Sequence, residues 1–89
     1  MILLVVQHSL DDYDAWRENF DATLPIMERH GVVDAKVHRG VDDPNSVLVV
    51  LRIPTAEQAY ALVEDSERRS RFDQAAFRAF SSAIQLYEE

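Results

Sequence analysis

His8-Ser9-Leu10-Asp11-Asp12-Tyr13-Asp14-Ala15-Trp16-Arg17-Glu18-Asn19-Phe20 is the stretch that decides the fold, because in it an apolar run ends, turns on acids and becomes an aromatic-faced helix. Upstream, Ile2 to His8 is apolar and rich in Val until it closes on polar residues, which predicts a strand covered on both faces and therefore central in its sheet. At the acids, Asp11 or Asp12 can accept hydrogen bonds from the open N–H groups of a following turn. Asp14 adds negative charge at the positive helix end, so a helix begins near Tyr13. Downstream, Tyr13, Trp16, Phe20, Leu24 and Met27 recur at steps of three or four and define one buried stripe, with Arg17, Glu18, Asp21 and Glu28 outside it. Pro25 cannot donate to the carbonyl of Asp21, which predicts a kink rather than a stop, and Gly31 supplies the left-handed residue that ends the helix. His30, beside it, is expected to make only a favourable contact with the helix dipole.

The remaining chain echoes this unit. Val32 to Arg39 alternates, with Val33, Ala35, Val37 and Arg39 on one side and Asp34, Lys36 and His38 on the other, the pattern of a strand with unlike faces. Gly40 to Ser46, containing Asp42-Asp43-Pro44-Asn45, reads as a hairpin connection. Val47 to Ile53 is a second apolar run, broken only by Arg52, and suits a second central strand. Thr55 is placed to cap a helix and Gln58 to complete a capping box, with Ala59, Leu62 and Val63 as the apolar face. A further helical segment with Phe72, Ala76, Phe77 and Phe80 follows, either as a second helix or as the far arm of a bent one. Ser82 to Glu88 alternates and forms a last strand. The order strand-helix-strand-strand-helix-strand predicts an α+β, ferredoxin-like sandwich: a four-stranded antiparallel sheet, both helices on one face, and the first and third strands in the middle.

Composition bounds the function. The chain has 89 residues, enough for a single domain spanning 1–89, and is 47% hydrophobic and 28% charged, which fits a packed fold. It has no cysteine, hence no disulfide, thiolate nucleophile or Cys-based metal site. The run Ile2 to Val6 is too short for a membrane span and lacks the flanks of a signal peptide, so a cytoplasmic location is the expectation. A net charge of -7 argues against nucleic-acid and membrane-surface partners. The local basic patch Arg68-Arg69-Ser70-Arg71 is expected to be a solvated helix face balanced by Glu64, Asp65 and Glu67.

A resemblance adds to this. His8, Asp12-Tyr13-Asp14-Ala15-Trp16 with Phe20, Pro25, Gly31-Val32, Val37-His38-Arg39-Gly40, Asp42-Asp43-Pro44-Asn45 and the Val47 to Leu51 run together resemble the dimeric α+β barrel superfamily. The likeness is to small proteins related to antibiotic biosynthesis monooxygenases and to similarly built cyclases. It covers about residues 4 to 53, with the same element order beyond. The resemblance implies two protomers packed sheet against sheet into a barrel. It also implies a cavity between each sheet and its helices or loops, or toward the barrel interior. Phe77-Arg78-Ala79-Phe80 departs from the small, Gly-containing end usual for the second helix of that family.

Strand parity supports a dimer independently. Ile2, Leu4, Val6, Val33, Ala35, Val37, Val47, Val49, Leu51, Ile84 and Leu86 form an apolar set that belongs under the helices. The opposite set, Leu3, Val5, Gln7, Lys36, His38, Leu48, Val50, Arg52, Gln85 and Tyr87, mixes large aliphatics with ionisable groups. Left in water it would expose an apolar patch, and a symmetric homodimer would cover it.

The three histidines, His8, His30 and His38, lack metal-ligand spacing, and no Gly-rich phosphate loop or nucleophile elbow occurs, so neither metal nor cofactor is expected. His38 shares a face with Arg52, Gln7 and Tyr87. If that face lines a cavity, His38 and Arg52 supply a base and a cation, and Gln7 and Tyr87 orient a ligand. The plainer reading makes the four the polar rim of the dimer interface. His8 either faces a pocket mouth near Tyr13 as a second catalytic candidate or caps backbone at a turn. Trp16 is first a core residue, and Tyr60 and Trp16 are further candidates to line a pocket. The leading expectation is a homodimer that binds a small apolar or aromatic, polyketide-like molecule and acts as a cofactor-independent monooxygenase or cyclase. The alternatives are a non-catalytic dimeric binding or interaction module and a heme-binding or heme-degrading protein.

Overall fold

Asp12 sets the first helix. Its backbone is extended and its carboxylate accepts a hydrogen bond from the Ala15 amide at 3.3 Å, one of the amides a helix start leaves open. In the computed structural model, which describes residues 1–67 and 79–89, strand β1 (Ile2–Leu10) leads into α1 (Tyr13–Arg29). Then come β2 (Asp34–Arg39), β3 (Ser46–Ile53), α2 (Ala56–Glu64) and β4 (Ala79–Glu88). The four strands form one antiparallel sheet in the order β2-β3-β1-β4, so the two apolar runs are the central strands as their sequences require.

Some boundaries depart from expectation and others meet it, each for an identifiable reason. Strand β1 continues to Leu10, whose amide donates to the Asn45 carbonyl at 2.7 Å, and a register shift against β4 falls at Ser9/Leu10. Pro25 lies inside α1, which runs on to Arg29. The helix then closes with the Gly31 amide on Glu28 O (3.0 Å) and the Val32 amide on Met27 O (3.2 Å), with Gly31 at φ +90°. This pair of bonds needs a left-handed residue between them, which glycine supplies without strain. A methyl group at Gly31 would also strike the side-chain amide of Gln58 at the start of α2. The capping box at α2 is one-sided: Thr55 Oγ1 accepts from the Gln58 amide at 3.2 Å and donates to Gln58 Oε1 at 3.0 Å. The Gln58 side chain thus meets the cap hydroxyl and not the cap backbone.

At the far end of the helices, His30 does more than contact a dipole. Its Nε2 lies 2.7 Å from Asp65 Oδ2, and Arg29 Nη2 donates to Glu67 Oε2 at 2.6 Å, so the end of α1 is tied to the chain leaving α2. Glu67 holds the Arg29 guanidinium pKa above its ordinary value, chiefly by that hydrogen bond. Phe80, expected on a helix, is in β4, which starts three residues before Ser82 because it pairs along the extended β1 as far as Leu10 opposite Ala79. The expected positions Phe72, Ala76 and Phe77, and the Arg68 to Arg71 patch, lie outside the described residues.

The core lies between sheet and helices. Leu4, Leu10, Val47, Val49, Leu51 and Ile53 from the central strands meet Trp16, Phe20, Ile26 and Met27 of α1 and Ala59 and Leu62 of α2, all buried. Val33 and Ile84, expected under the helices, are exposed. They belong to the two sheet edges, Val33 just before β2 and Ile84 on β4.

Candidate functional site

The sheet has one covered and one open face, and the candidate residues divide between them. On the open face, pairing sets the polar side chains in rows across the strands. Tyr87, Leu3, Arg52 and Asp34 form one row, and Gln7, Leu48 and His38 another. Asp34 and His38 are four residues apart along β2, so the two rows stand about 13 Å from each other at the rise of an extended strand. Arg52 and Tyr87 therefore share one end of the face, while His38 and Gln7, both exposed, share the other.

Arg52 is already engaged. Its Nε and Nη2 donate to the two carboxylate oxygens of Glu89 at 3.0 and 2.9 Å. The Glu89 carboxylate holds the guanidinium pKa above its ordinary value, first through this hydrogen bond and then through charge. Arg52 is thus a fixed cation with a partner, unsuited to proton transfer. Leu3, Asp34, Lys36, Val50, Arg52 and Glu89 line an open depression of about 400 Å³ at this end. Its charges alternate, with Lys36 Nζ 4.0 Å from Asp34 Oδ2. Such a surface suits a matching surface better than a small molecule.

Under the helices the chemistry is different. The alternation that puts Leu4 and Val6 on the covered face puts His8 there too, 7% exposed, opposite Val47. Its imidazole lies 6.2 Å from the Trp16 ring. Trp16, 0% exposed, is the centre of a run of rings along α1, with Tyr13 at 5.9 Å and Phe20 stacked at 5.2 Å. Spacings of three and four residues on one helix face produce this run. Arg39, at the end of β2, lays its guanidinium 3.7 Å from the Tyr13 ring centroid and donates from Nε to the Pro44 carbonyl at 3.0 Å. A cation held over an aromatic face is attracted by the ring quadrupole, so the β2–β3 turn is pinned to the start of α1.

Of the two catalytic histidine candidates, then, one is buried among aromatic rings and the other is exposed. Tyr60 is 58% exposed on α2, and Trp16 is wholly enclosed. Sequence reasoning did not single out Asn19, Thr23 or Arg39. Asn19 and Thr23 carried a signal, being polar residues at three and seven positions after Trp16 and so on the buried stripe itself. Thr23 resolves its burial by donating from Oγ1 to the Asn19 carbonyl at 2.8 Å.

No family model and no curated protein matches the chain at the level of sequence. Solved structures do match in fold. SnoaB, a cofactor-independent oxygenase from Streptomyces nogalater, is 13% identical, with a TM-score of 0.80 over 99% of this chain and 91% of its own. A candidate antibiotic biosynthesis monooxygenase from Nitrosomonas europaea is 17% identical, with a TM-score of 0.78 over 99% of this chain and 88% of its own. A similar candidate from Bordetella bronchiseptica is 10% identical, with a TM-score of 0.77 over 99% and 95%. The chain therefore has the ferredoxin-like α+β fold of antibiotic biosynthesis monooxygenase-like proteins, as the resemblance implied.

Proposed function

We propose that the protein is a cytoplasmic homodimer that binds a small aromatic molecule under its helices and oxygenates it without metal or organic cofactor. The observation that carries this reading is His8 buried against Trp16, in a fold like that of a cofactor-independent oxygenase. A buried imidazole beside aromatic rings offers a base in a dry, ring-walled setting, and such a setting favours a substrate whose own carbanion reduces dioxygen. His8 takes a proton from an activated CH2 group flanked by aromatic or carbonyl groups. The carbanion gives its electrons to dioxygen, one oxygen atom stays on carbon as a carbonyl, and the other leaves with both hydrogens as water. The four electrons lost by carbon are the four gained by dioxygen, so no outside reductant is needed.

The open face takes the other part of the proposal. Leu3, Val5, Leu48 and Val50 would be covered by the same face of a second copy, with His38, Gln7, Arg52 and Tyr87 at or near the rim. Sedimentation at micromolar concentration should give twice the protomer mass, and a monomer would remove this assignment.

The catalytic reading is tested by oxygen uptake and product mass on a panel of polycyclic phenolic ketones, using chelator-treated protein and His8→Gln. Uptake by the wild type, with one labelled oxygen atom in the product and at least a tenfold loss in His8→Gln, is expected. Binding of the panel with no uptake would favour a second reading, a non-catalytic dimeric binding module. The pairing of Arg52 with Glu89 favours that alternative, because it leaves the open face without a reactive cation.

A further inference from the structure

His8, Val47 and Arg39 stand in one row across the sheet, because Val47 is paired both with His8 on β1 and with Arg39 on β2. Residues directly opposite each other share a face, so Arg39 projects from the same covered side as His8, two strands and about 10 Å away at the sheet edge. In the helix layer above this row are the rings of Tyr13 and Trp16, 5.9 Å apart, with the indole 6.2 Å from the imidazole. A line of contacts thus runs from the water outside Arg39, through Tyr13 and Trp16, to His8. Its inner members are closed off, Trp16 being 0% exposed and His8 7%. No molecule as large as a benzene ring reaches either one unless a neighbour moves. Its outer members are the half-buried Tyr13 and the exposed Arg39.

Two contacts hold Arg39 in place: its guanidinium lies 3.7 Å from the Tyr13 ring centroid, and its Nε donates to the Pro44 carbonyl at 3.0 Å. Both are at the surface, where each is cheap to break. The support behind them is fixed. The Leu10 amide donates to the Asn45 carbonyl at 2.7 Å, and the Asn45 amide donates to the Asp43 carboxylate at 3.0 Å. The Arg39 side chain can therefore leave while the turn stays. The second arginine on the ring run is built differently: Arg17 lies 5.5 Å from the Phe20 centroid and is paired with Asp21 at 3.1 Å, both on its own helix, so it joins no two elements. We infer that Arg39 and Tyr13 are the lid of the aromatic site. Arg39 swings off the ring, Tyr13 turns outward, and a flat molecule passes between the end of β2 and the start of α1 to reach Trp16 and His8. This rests on the reading that the ligand lies under the helices, and it adds the route in and the residues that govern passage. Closed again, the guanidinium and the phenol ring keep water from the base.

Trp16 is the chain's one tryptophan, so its fluorescence reports access to this site alone. The probe is acrylamide, a small neutral quencher, and the readout is its bimolecular quenching constant in native buffer. Arg39→Ala should raise that constant about fivefold, the scale set by losing one surface cation–π contact and one hydrogen bond. Arg39→Lys, which keeps a cation near the ring without the flat guanidinium, should fall between the wild type and Arg39→Ala. Arg17→Ala should leave the constant unchanged. Gly31→Ala loosens the protein at the far end of α1, away from the lid, and should not raise the constant either. An Arg39→Ala constant no different from that of the wild type, or an equal rise in Gly31→Ala, overturns the inference. Failure is separable from that of the catalytic reading, because the quencher needs no ligand. Faster quenching in Arg39→Ala with no oxygen uptake by the wild type keeps the lid and discards the oxygenase, and oxygen uptake with quenching unmoved in Arg39→Ala does the reverse.

Discussion

Leu48 and Leu51 are the same residue type on the same strand, three positions apart, and they live in different surroundings. Leu51 is 3% exposed beneath the helices and Leu48 is 38% exposed on the open face. The difference extends to the whole sheet. On the covered side the chain closes its own core, and polar groups enter it among rings, as His8 and the Trp16 indole do, or bonded to the helix backbone, as Thr23 does. On the open side, aliphatic residues alternate with Lys36, His38 and Arg52, and among the described residues neither α1 nor α2 covers them. One side is finished by folding and the other is left open. Chemistry that needs a dry site is accordingly sought on the first side, and partner choice on the second.

The sharpest test sets these leucines against each other. Leu51→Ala should lower stability by about 2–5 kcal/mol, as truncation of a fully buried leucine does, and by the same amount at any protein concentration. Leu48→Ala should cost little in dilute solution and more as concentration rises, since in the proposed dimer its contribution comes through association. Urea unfolding at two concentrations differing a hundredfold reads both. A Leu48→Ala loss that is large and independent of concentration would break the division between the faces. Within the helix layer, Gly31→Ala should cost about 1–2 kcal/mol, since it forces a side chain into the left-handed region and against Gln58. Thermal unfolding measures it, and a compensating Gln58→Ala should recover the steric part alone.

The covered side was far more legible in the sequence than the open one. Parity along Ile2 to His8 and Val47 to Ile53 sorts side chains between faces, and both central strands, a helix cap at Asp11 or Asp12 and the Gly31 stop follow from local chemistry. Parity says nothing about rows. Whether His38 stands beside Arg52 or four residues away depends on how β2 and β3 are paired. That in turn depends on a turn in which the Gly40 amide donates to the Ser46 carbonyl, the Ser46 amide to the Asp43 carbonyl and the Asn45 amide to the Asp43 carboxylate. A group of four polar residues legible as one face was therefore two groups in space. The start of β4 was misread for a similar reason: Ala79 and Phe80 read as helix locally, and it is the length of β1 that draws them into the sheet. Asn19 was passed over because a helical stripe is read for its apolar members, so a polar residue inside it goes uncounted.

The smallest effect expected is also the most specific to the open face. Arg52 and Glu89 are paired in two hydrogen bonds at the protomer surface, where water screens both charges and the pair adds little to folding. Arg52→Gln should therefore leave the unfolding midpoint of dilute protein unchanged within error. Because Glu89 raises the guanidinium pKa further, Arg52 stays charged across the accessible pH range, and the same result should hold from mildly acidic to mildly basic solution. Association changes the balance. If the second copy covers this row, the pair loses its water, and removing one partner leaves the other charge buried and unmatched. Arg52→Gln should then weaken the dimer at moderate salt, and Glu89→Gln made in the same chain should restore much of the loss by removing the stranded charge. Sedimentation equilibrium on the two single variants and the double variant decides the matter. Recovery in the double variant puts the row inside the interface, and three indistinguishable dimers put Arg52 and Glu89 at its solvated edge.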